Sequence, residues 1–310
     1  MTEEMDARDA GWFVGLDPAD VDAAASAVTR GSAETPRDWP TLAVESGFAT
    51  DEDDYYDRLR EATTAATRAT VRERERADDR QLIHAVRSMD DCERTANELA
   101  ERATEWAGAL FETAPAGIDG AREVADTEPD GAAERRAVSL AERAVDLADE
   151  RDDLSAFIER TAPAVAPNLS AMAGAELAAR LIALAGGLGS LAKKPSGTVQ
   201  VLGAEDALFA HLAGRAPSPK HGVIYVHDYV RNTRPEDRGS AARALAGTLT
   251  LAARVDHYAG DHREELHEDL RERIATIRAR AANGESVTDD QRATDDQKAA
   301  DDDEGGADDA

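Results

Sequence analysis

Lys193, Lys194 and Lys220 are three of only four lysines in a chain of 310 residues. An ammonium group in a stretch poor in carboxylates holds phosphate as a point charge. Lys193 and Lys194 stand in SLAKKPSGT, where Ser196 adds a hydroxyl and the turn adds backbone amides. Lys220 stands in APSPKHG, and Arg243 follows in an Ala-rich run. Other patterns fail their chemistry. Gly187, Gly189 and Ala192 match GxGxxA, but a dinucleotide fingerprint needs a strand before it and an Ala-rich helical stretch stands there instead. GGLG at 186–189 has the GxxG of a KH loop without that fold's strands around it. His257, His262 and His267 are five residues apart, so a helix turns each about 140° from the last and they do not converge on a metal. Neither a phosphate-binding GxxxxGK[ST] loop nor a GxSxG nucleophile elbow occurs, and no catalytic or metal-binding residues emerge.

The charge pattern supports an anionic partner. Formal net charge is −28, from 36 basic and 64 acidic residues, and 32 of the basic residues are arginine. So acidic a total argues against nucleic acid. Yet residues 161–258 carry ten basic and seven acidic side chains, a net +3 inside a chain whose remainder is −31. Lysine depletion with excess Asp and Glu resembles proteins of extreme halophiles. Cys92 is the only cysteine, so no internal disulfide forms. No apolar run spans a bilayer and no secretory leader is evident, so a soluble protein of the cytoplasm of a prokaryotic-type cell is expected.

The elements that must position these residues are helices. Aromatics are 4% of the chain, and Ala, Arg, Glu and Asp dominate. Residues 1–57 read as a small, poorly cored N-terminal domain containing GWFVGL and Trp39, with Asp51–Asp54 capping a helix near Tyr55. Residues 58–113 read as one long helix. Its seam of Leu82, Ala85, Met89, Cys92, Ala96, Leu99, Ala103, Trp106 and Leu110 alternates in steps of three and four. A turn region covers 115–131. A second helix follows, with Ala137, Leu140, Ala144, Leu147, Arg151, Leu154 and Ile158 on its seam, and Pro163 and Pro167 break the pattern. Two seamed helices on a short linker fold back as an antiparallel pair, giving a coiled coil over 58–162. Residues 168–213 read as a buried helical core within a domain spanning 163–282. Val199–Leu202 and Val223–Val226 each fit a strand or a buried helix. Residues 239–259 and 261–282 read as helices, and 283–310 as a disordered acidic tail. The fold class is mainly α.

The stretch from Ala166 to Asp256 contains APNLSAMAGAELAARLIALAGGLGSLAKKPSGTVQVLGAEDALFAHL, then SPKHGVIYVH, then an Arg- and Ala-rich helix ending LAARVD. It resembles the Nop domain of box C/D small ribonucleoproteins, and the preceding DDRQLIHAVRSMDD and ERATEWAG are similar to that family's coiled coil. The resemblance implies a mainly α-helical, non-enzymatic scaffold. It implies a homodimer through the coiled coil, whose seam would include Leu82, Met89, Leu99, Trp106, Leu110, Leu140, Leu147 and Leu154. It implies a grip on box C/D guide RNA together with a kink-turn-binding ribosomal-type protein. It also implies docking of fibrillarin, which carries S-adenosylmethionine and 2′-O-methylates rRNA, with tRNA a second candidate target. The chain itself then needs no cofactor. Lys193, Lys194, Pro195 and Ser196 match the family's basic loop. Gln200 to Phe209 match its GAEKALF-type signature, in which Gly203 and Ala204 allow close approach and Glu205 accepts from a base edge or holds an arginine. Lys220 matches the SPK turn and Arg243 a basic helix position. Phe209 reads as core. Arg180 and Arg254 fit either RNA contacts or structural partners.

Two departures qualify the match. Asp206 stands where the signature is basic, which costs a phosphate contact. About 60 residues precede the long helix, fewer than the family's usual fibrillarin-binding domain. A splicing-type Nop-domain assembly factor and a coiled-coil structural protein without RNA are the alternative readings.

Overall fold

A computed structural model describes residues 11–33, 35–111 and 115–282. Every regular element among them is helical, and none is long and apolar enough to cross a membrane. They fall into two compact units, divided between Arg80 and Gln81.

In the first unit, α1 (Val21–Arg30) and α2 (Trp39–Glu45) pack on α3 (Glu52–Glu75). Asp20, Asp38 and Asp51 cap the three helices, accepting from Ala23, Thr41 and Asp54 N–H respectively. The core is aromatic rather than poor. Phe13, Phe48 and Tyr55 are buried, and Trp12 lies edge-on to Phe48 with ring centroids 5.1 Å apart.

The single long helix expected over 58–113 is instead α3 and α4 (Asp78–Ala107), broken at Arg76–Ala77. The break follows the sequence. Arg76 N–H bonds back to Arg72 and Glu73, and Asp78 and Asp79 fill the first turn of α4, where carboxylates favour a helix start. The expected turn region at 115–131 contains α5 (Gly117–Ala125), because Ala121 and Val124 bury a short apolar face. Pro163 does not end α6 (Ala132–Val165). It sits in the last turn, where the carbonyl its missing N–H would have bonded is that of exposed Glu159.

The α4 and α6 seams close on each other in antiparallel sense. Ala100, Ala103 and Ala107 pack with Val138, Ala141 and Ala144, while Leu82 and Met89 share a core with Ile158 and Ala162. Some of the expected seam residues thereby pack within the chain. Leu82 and Met89 are fully buried, Leu99, Leu110, Leu140, Leu147 and Leu154 are half-buried, and Trp106 remains 41% exposed. Half-buried Cys92 has its thiol pushed up by burial and by the Glu150 and Asp91 carboxylates, which lowers its reactivity.

The rest of the second unit is wound around one helix. After α7 (Pro167–Ala173), α8 (Ala175–Ala185), α9 (Leu188–Ala192), α10 (Ser196–Val201) and α11 (Glu205–Leu212) come a 3₁₀ turn at Val223–Val226, α12 (Asp228–Arg231), α13 (Arg238–Tyr258) and α14 (Glu264–Ala282). The two ambiguous β-prone runs are thus helical. α13 packs against α7, α9, α10, α12 and α14. It buries Ala241, Ala242, Ala244, Ala246, Ala252 and Ala253 together with Leu245 and Leu249, and small residues let several helices approach one axis. The expected disorder of 283–310 lies outside the described residues.

One polar network ties the ends of this arrangement. The Asp256 carboxylate, near the end of α13, accepts from Asn168 N–H (3.0 Å), Leu169 N–H (2.9 Å) and Asn168 Nδ2 (2.6 Å). It thereby caps α7, whose first residue is Pro167. The side chain of Asn168, 1% exposed, also donates to the Asp261 carbonyl (2.7 Å) and accepts from Arg263 N–H (2.6 Å). Asp256→Ala leaves those buried donors unpaired and should destabilise this unit by about 2–4 kcal/mol, against half that or less for Asp256→Asn. Chemical denaturation of both variants measures it, and equal losses would reassign the effect to packing.

His227 forms a second tie. Its Nδ1 accepts from Tyr229 N–H (3.1 Å), so its Nε2 donates to the Met172 carbonyl (2.9 Å). Burial holds its pKa below the ordinary imidazole value, aided by His267 and Arg278 and opposed by the Met172 carbonyl and Asp228. Above about pH 6.5 the native and unfolded imidazoles are both neutral; below it the unfolded state takes up the proton first. Stability should therefore fall as pH drops from 6.5 toward the depressed native pKa. Denaturation midpoints at pH 8, 6.5 and 5 should fall more steeply for wild type than for His227→Asn, and parallel profiles would count against this account.

Candidate nucleic-acid interface

The basic residues are arranged along α13. The Arg254 guanidinium donates from Nε to the Ala192 carbonyl at the end of α9 (3.1 Å), so Lys193 and Lys194 leave α9 beside the fifth turn of α13. At the other end, a Cβ on Gly239 would lie 3.8 Å from Lys220 Cδ. Positions 239 and 254 are fifteen residues apart, about 22 Å along a helix axis. Gly239, Arg243 and Arg254 fall within a sector of about 60° at 100° per residue. The lysines therefore bracket a strip whose middle carries exposed Arg243. Among the described residues, no carboxylate forms an ion pair with Lys193, Lys194, Lys220 or Arg234.

A backbone clamp fixes Lys220 in place. Gly222 N–H donates to the Gln200 carbonyl (2.8 Å), Val223 N–H to the Leu202 carbonyl (2.7 Å), and Gln200 Nε2 to the Lys220 carbonyl (2.8 Å). α10 itself is held by buried Val199. Gly222 is required by space: a Cβ there would stand 2.0 Å from the Leu202 oxygen. Gln200 thus positions the lysine loop through its amide. Ser196 opens α10, exposed beside Lys194.

The remaining signature residues build a turn of the chain. Gly203 has φ +82°, and a Cβ there would lie 3.3 Å from Leu184 and Val223, so the close approach it permits is to its own chain. Glu205 accepts from Gly203 N–H (2.9 Å) and closes that turn. Ala204 occupies the N-cap position of α11, without a side-chain cap. Gly203 lines a cleft of about 610 Å³ with Leu184, Gly222, Val223, Tyr225 and Val226. Phe209 is not core: it is 62% exposed on α11, a helix without a buried residue, and Leu212 beside it is 73% exposed. Arg180 is a structural partner, bridging Asp90 of α4 (2.8 Å) and Glu176 (3.2 Å). Arg254 is likewise structural through its bond to Ala192.

The sequence reading missed an aromatic centre at the Lys220 end. His221 stacks on Tyr225 with centroids 4.6 Å apart and planes 23° from parallel, and the Arg238 guanidinium lies 5.4 Å from the Tyr225 centroid. Burial lowers the pKa of His221, and the Arg238 and Lys220 charges lower it further, so its ring is neutral at pH 7. The alternation of basic and aromatic residues in PKHGVIYVH was the available signal. A strip of fixed cations edged by a neutral stacked ring fits a sugar–phosphate backbone with bases alongside.

A family model described as Nop, snoRNA binding domain, fibrillarin, matches residues 72–278. An uncharacterised NOP5 family protein of Methanocaldococcus jannaschii is 33% identical over 279 residues, covering 76% of this chain and 66% of the relative. Nucleolar protein 58 of Candida albicans is 33% identical over 239 residues (65% of this chain, 46% of the relative). Its Schizosaccharomyces pombe namesake is 44% identical over 119 (38% and 23%). The chain thus spans just under two thirds of the archaeal relative and less than half of the fungal ones. A chain of a crystal structure of a fibrillarin/Nop5p complex aligns with TM-score 0.49 and 24% identity, over 87% of this chain and 99% of that one.

The clamp predicts a graded response. Gln200→Ala removes one hydrogen bond and should cost about 1 kcal/mol, while Gly222→Ala forces the 200–202 and 220–223 segments apart and should cost about 1–3 kcal/mol. Hydrogen exchange at Gly222 and Val223 should rise in both; protection unchanged in Gly222→Ala would remove the clamp from the account.

Proposed function

The chain belongs to the Nop family of snoRNA-binding proteins, and on that premise we propose that it is the scaffold of a box C/D guide ribonucleoprotein. The observation that carries this reading is the basic strip on α13, bracketed by Lys193–Lys194 and clamped Lys220 within the family match. Guide RNA lies along the strip, with phosphates at the lysines and Arg243 and a base against the His221 ring. A kink-turn-binding protein shares the RNA, and the exposed Phe209 and Leu212 of α11 supply apolar area beside the site for it. The first unit recruits fibrillarin; its cleft of about 450 Å³, lined by Trp12, Val28, Arg30 and Trp39, suits an apolar anchor. The α4–α6 pair mediates homodimerisation, for which exposed Trp106 provides an aromatic contact. The chain is not itself an enzyme: S-adenosylmethionine and the methyl transfer to rRNA belong to fibrillarin, and this protein supplies position.

The test is reconstitution at high salt, in keeping with the acidic, lysine-poor composition. This protein, box C/D guide RNA, a kink-turn-binding protein, fibrillarin and S-adenosylmethionine are mixed, and methylation of a complementary RNA is followed. Methylation should depend strictly on this subunit. Lys193→Ala/Lys194→Ala/Lys220→Ala should remove three phosphate contacts and flatten the salt dependence of RNA binding by about two in log–log slope. RNA assembly without methylation would remove fibrillarin recruitment from the proposal. No RNA complex at any salt at which the partners are folded would overturn it.

A further inference from the structure

Residues 283–310, which follow α14, contain eleven carboxylates against Arg292 and Lys298, a net −9. α14 delivers this segment to one end of the basic strip. Leu270 and Ile274 anchor the helix in the core. Beyond them, Arg278 donates to the Asp228 carbonyl (2.9 Å) and to Thr233 Oγ1 (3.2 Å). The guanidinium of Arg238, the first residue of α13, donates to the Thr233 carbonyl (3.1 Å). The acidic segment therefore begins about one helical turn past a residue that shares Thr233 with the start of α13. Lys220 lies over the next residue, Gly239, and Arg243, Arg254, Lys193 and Lys194 follow along about 22 Å of helix. Twenty-eight residues contain more than enough backbone to reach the whole strip, at up to about 3.3 Å each.

We propose that, without RNA, residues 283–310 lie along the basic face of α13, their carboxylates standing where phosphates would, and that RNA must displace them. The competition rests on the RNA-binding reading above; the contact does not. Carboxylates on this segment gain Coulomb energy alone, whereas RNA adds stacking and shaped hydrogen bonds. Screening shortens from about 10 Å at 0.1 M salt to about 3 Å at 1 M. Salt therefore strips the acidic segment from the strip while RNA keeps its non-ionic contacts, so occupancy of the strip passes from segment to RNA as salt rises.

The full chain with Cys92→Ala and Ala300→Cys, spin-labelled at position 300, tests the contact without RNA. At 0.1 M salt the amides of Lys193, Lys194, Lys220 and Arg243 should broaden, independently of protein concentration, and recover at 1 M. Broadening restricted to residues next to 282, or scattered over acidic surfaces, would overturn the proposal, as would broadening that disappears on dilution. For the competition, Asp295, Asp296, Asp301, Asp302 and Asp303 are changed to Asn and Glu304 to Gln. Guide-RNA affinity should then rise about tenfold at 0.1 M salt and less than about twofold at 1 M. Contact without an affinity change would confirm docking and place the RNA elsewhere. Equal gains at both salts would assign the effect to something other than competition for the strip.

Discussion

The Asp256 carboxylate is the constraint on which the second unit depends. It satisfies the first amides of α7 from the far end of α13, and through Asn168 it also fixes the link into α14. Chain segments nearly ninety residues apart are thereby joined at one buried point. Without it, α13 could still collapse against its neighbours by apolar burial, since burial is non-directional. What it would lose is a defined position along its axis. That matters because the strip exists only if Ala192 meets Arg254 while Gly239 meets Lys220. A slip of one turn, about 5 Å, would break both meetings at once.

The surface chemistry follows from how α13 is buried. Its inward faces are mostly Ala, which leaves α9 and α10 close enough for their termini to emerge beside α13 rather than above it. The cations are consequently carried by helix ends and a backbone clamp, with Lys220 held through Gln200 and the 222–223 amides. Elsewhere the described surface is ordinary for an acidic chain: exposed Arg–Asp and Arg–Glu pairs one helical turn apart, such as Arg94–Asp91 and Arg102–Glu105, each worth little. Several arginines thus pair with neighbouring carboxylates, whereas among the described residues no carboxylate forms an ion pair with the lysines of the strip. The scarcity of lysine makes the distinction visible.

Elements with a repeating apolar period were legible in the sequence. The three–four spacing from Leu82 to Trp106 and from Ala137 to Ile158 marks two helices because each buries one stripe against the other. Elements fixed by single contacts were not. α5 is nine residues long, too short for a period to stand out, and Pro163 falls where helix interruption costs little. Phe209 looks apolar and central in sequence, but α11 has nothing packed over it. The lysines of the strip were legible by type and context. The roles of Gln200, Gly203 and Glu205 were not, because each acts on its own chain: one holds the Lys220 carbonyl, one makes room for Val223, and one closes the Gly203 turn. Their spacing in sequence is the same whether the partner is a base or a backbone amide, and only the tertiary fold decides which.

On the proposed reading, this division bears on how such a site would hold RNA when salt is high. Counterion release rewards each cation–phosphate contact, and that reward shrinks toward molar salt however many lysines are present. What persists is pre-organisation. A lysine whose carbonyl is already bonded, on a loop pinned by two backbone hydrogen bonds, loses little further backbone freedom on binding, and a neutral His221 already stacked on Tyr225 presents its ring without reorganisation. Residues that build the scaffold are therefore as much a part of affinity as those that meet the phosphate.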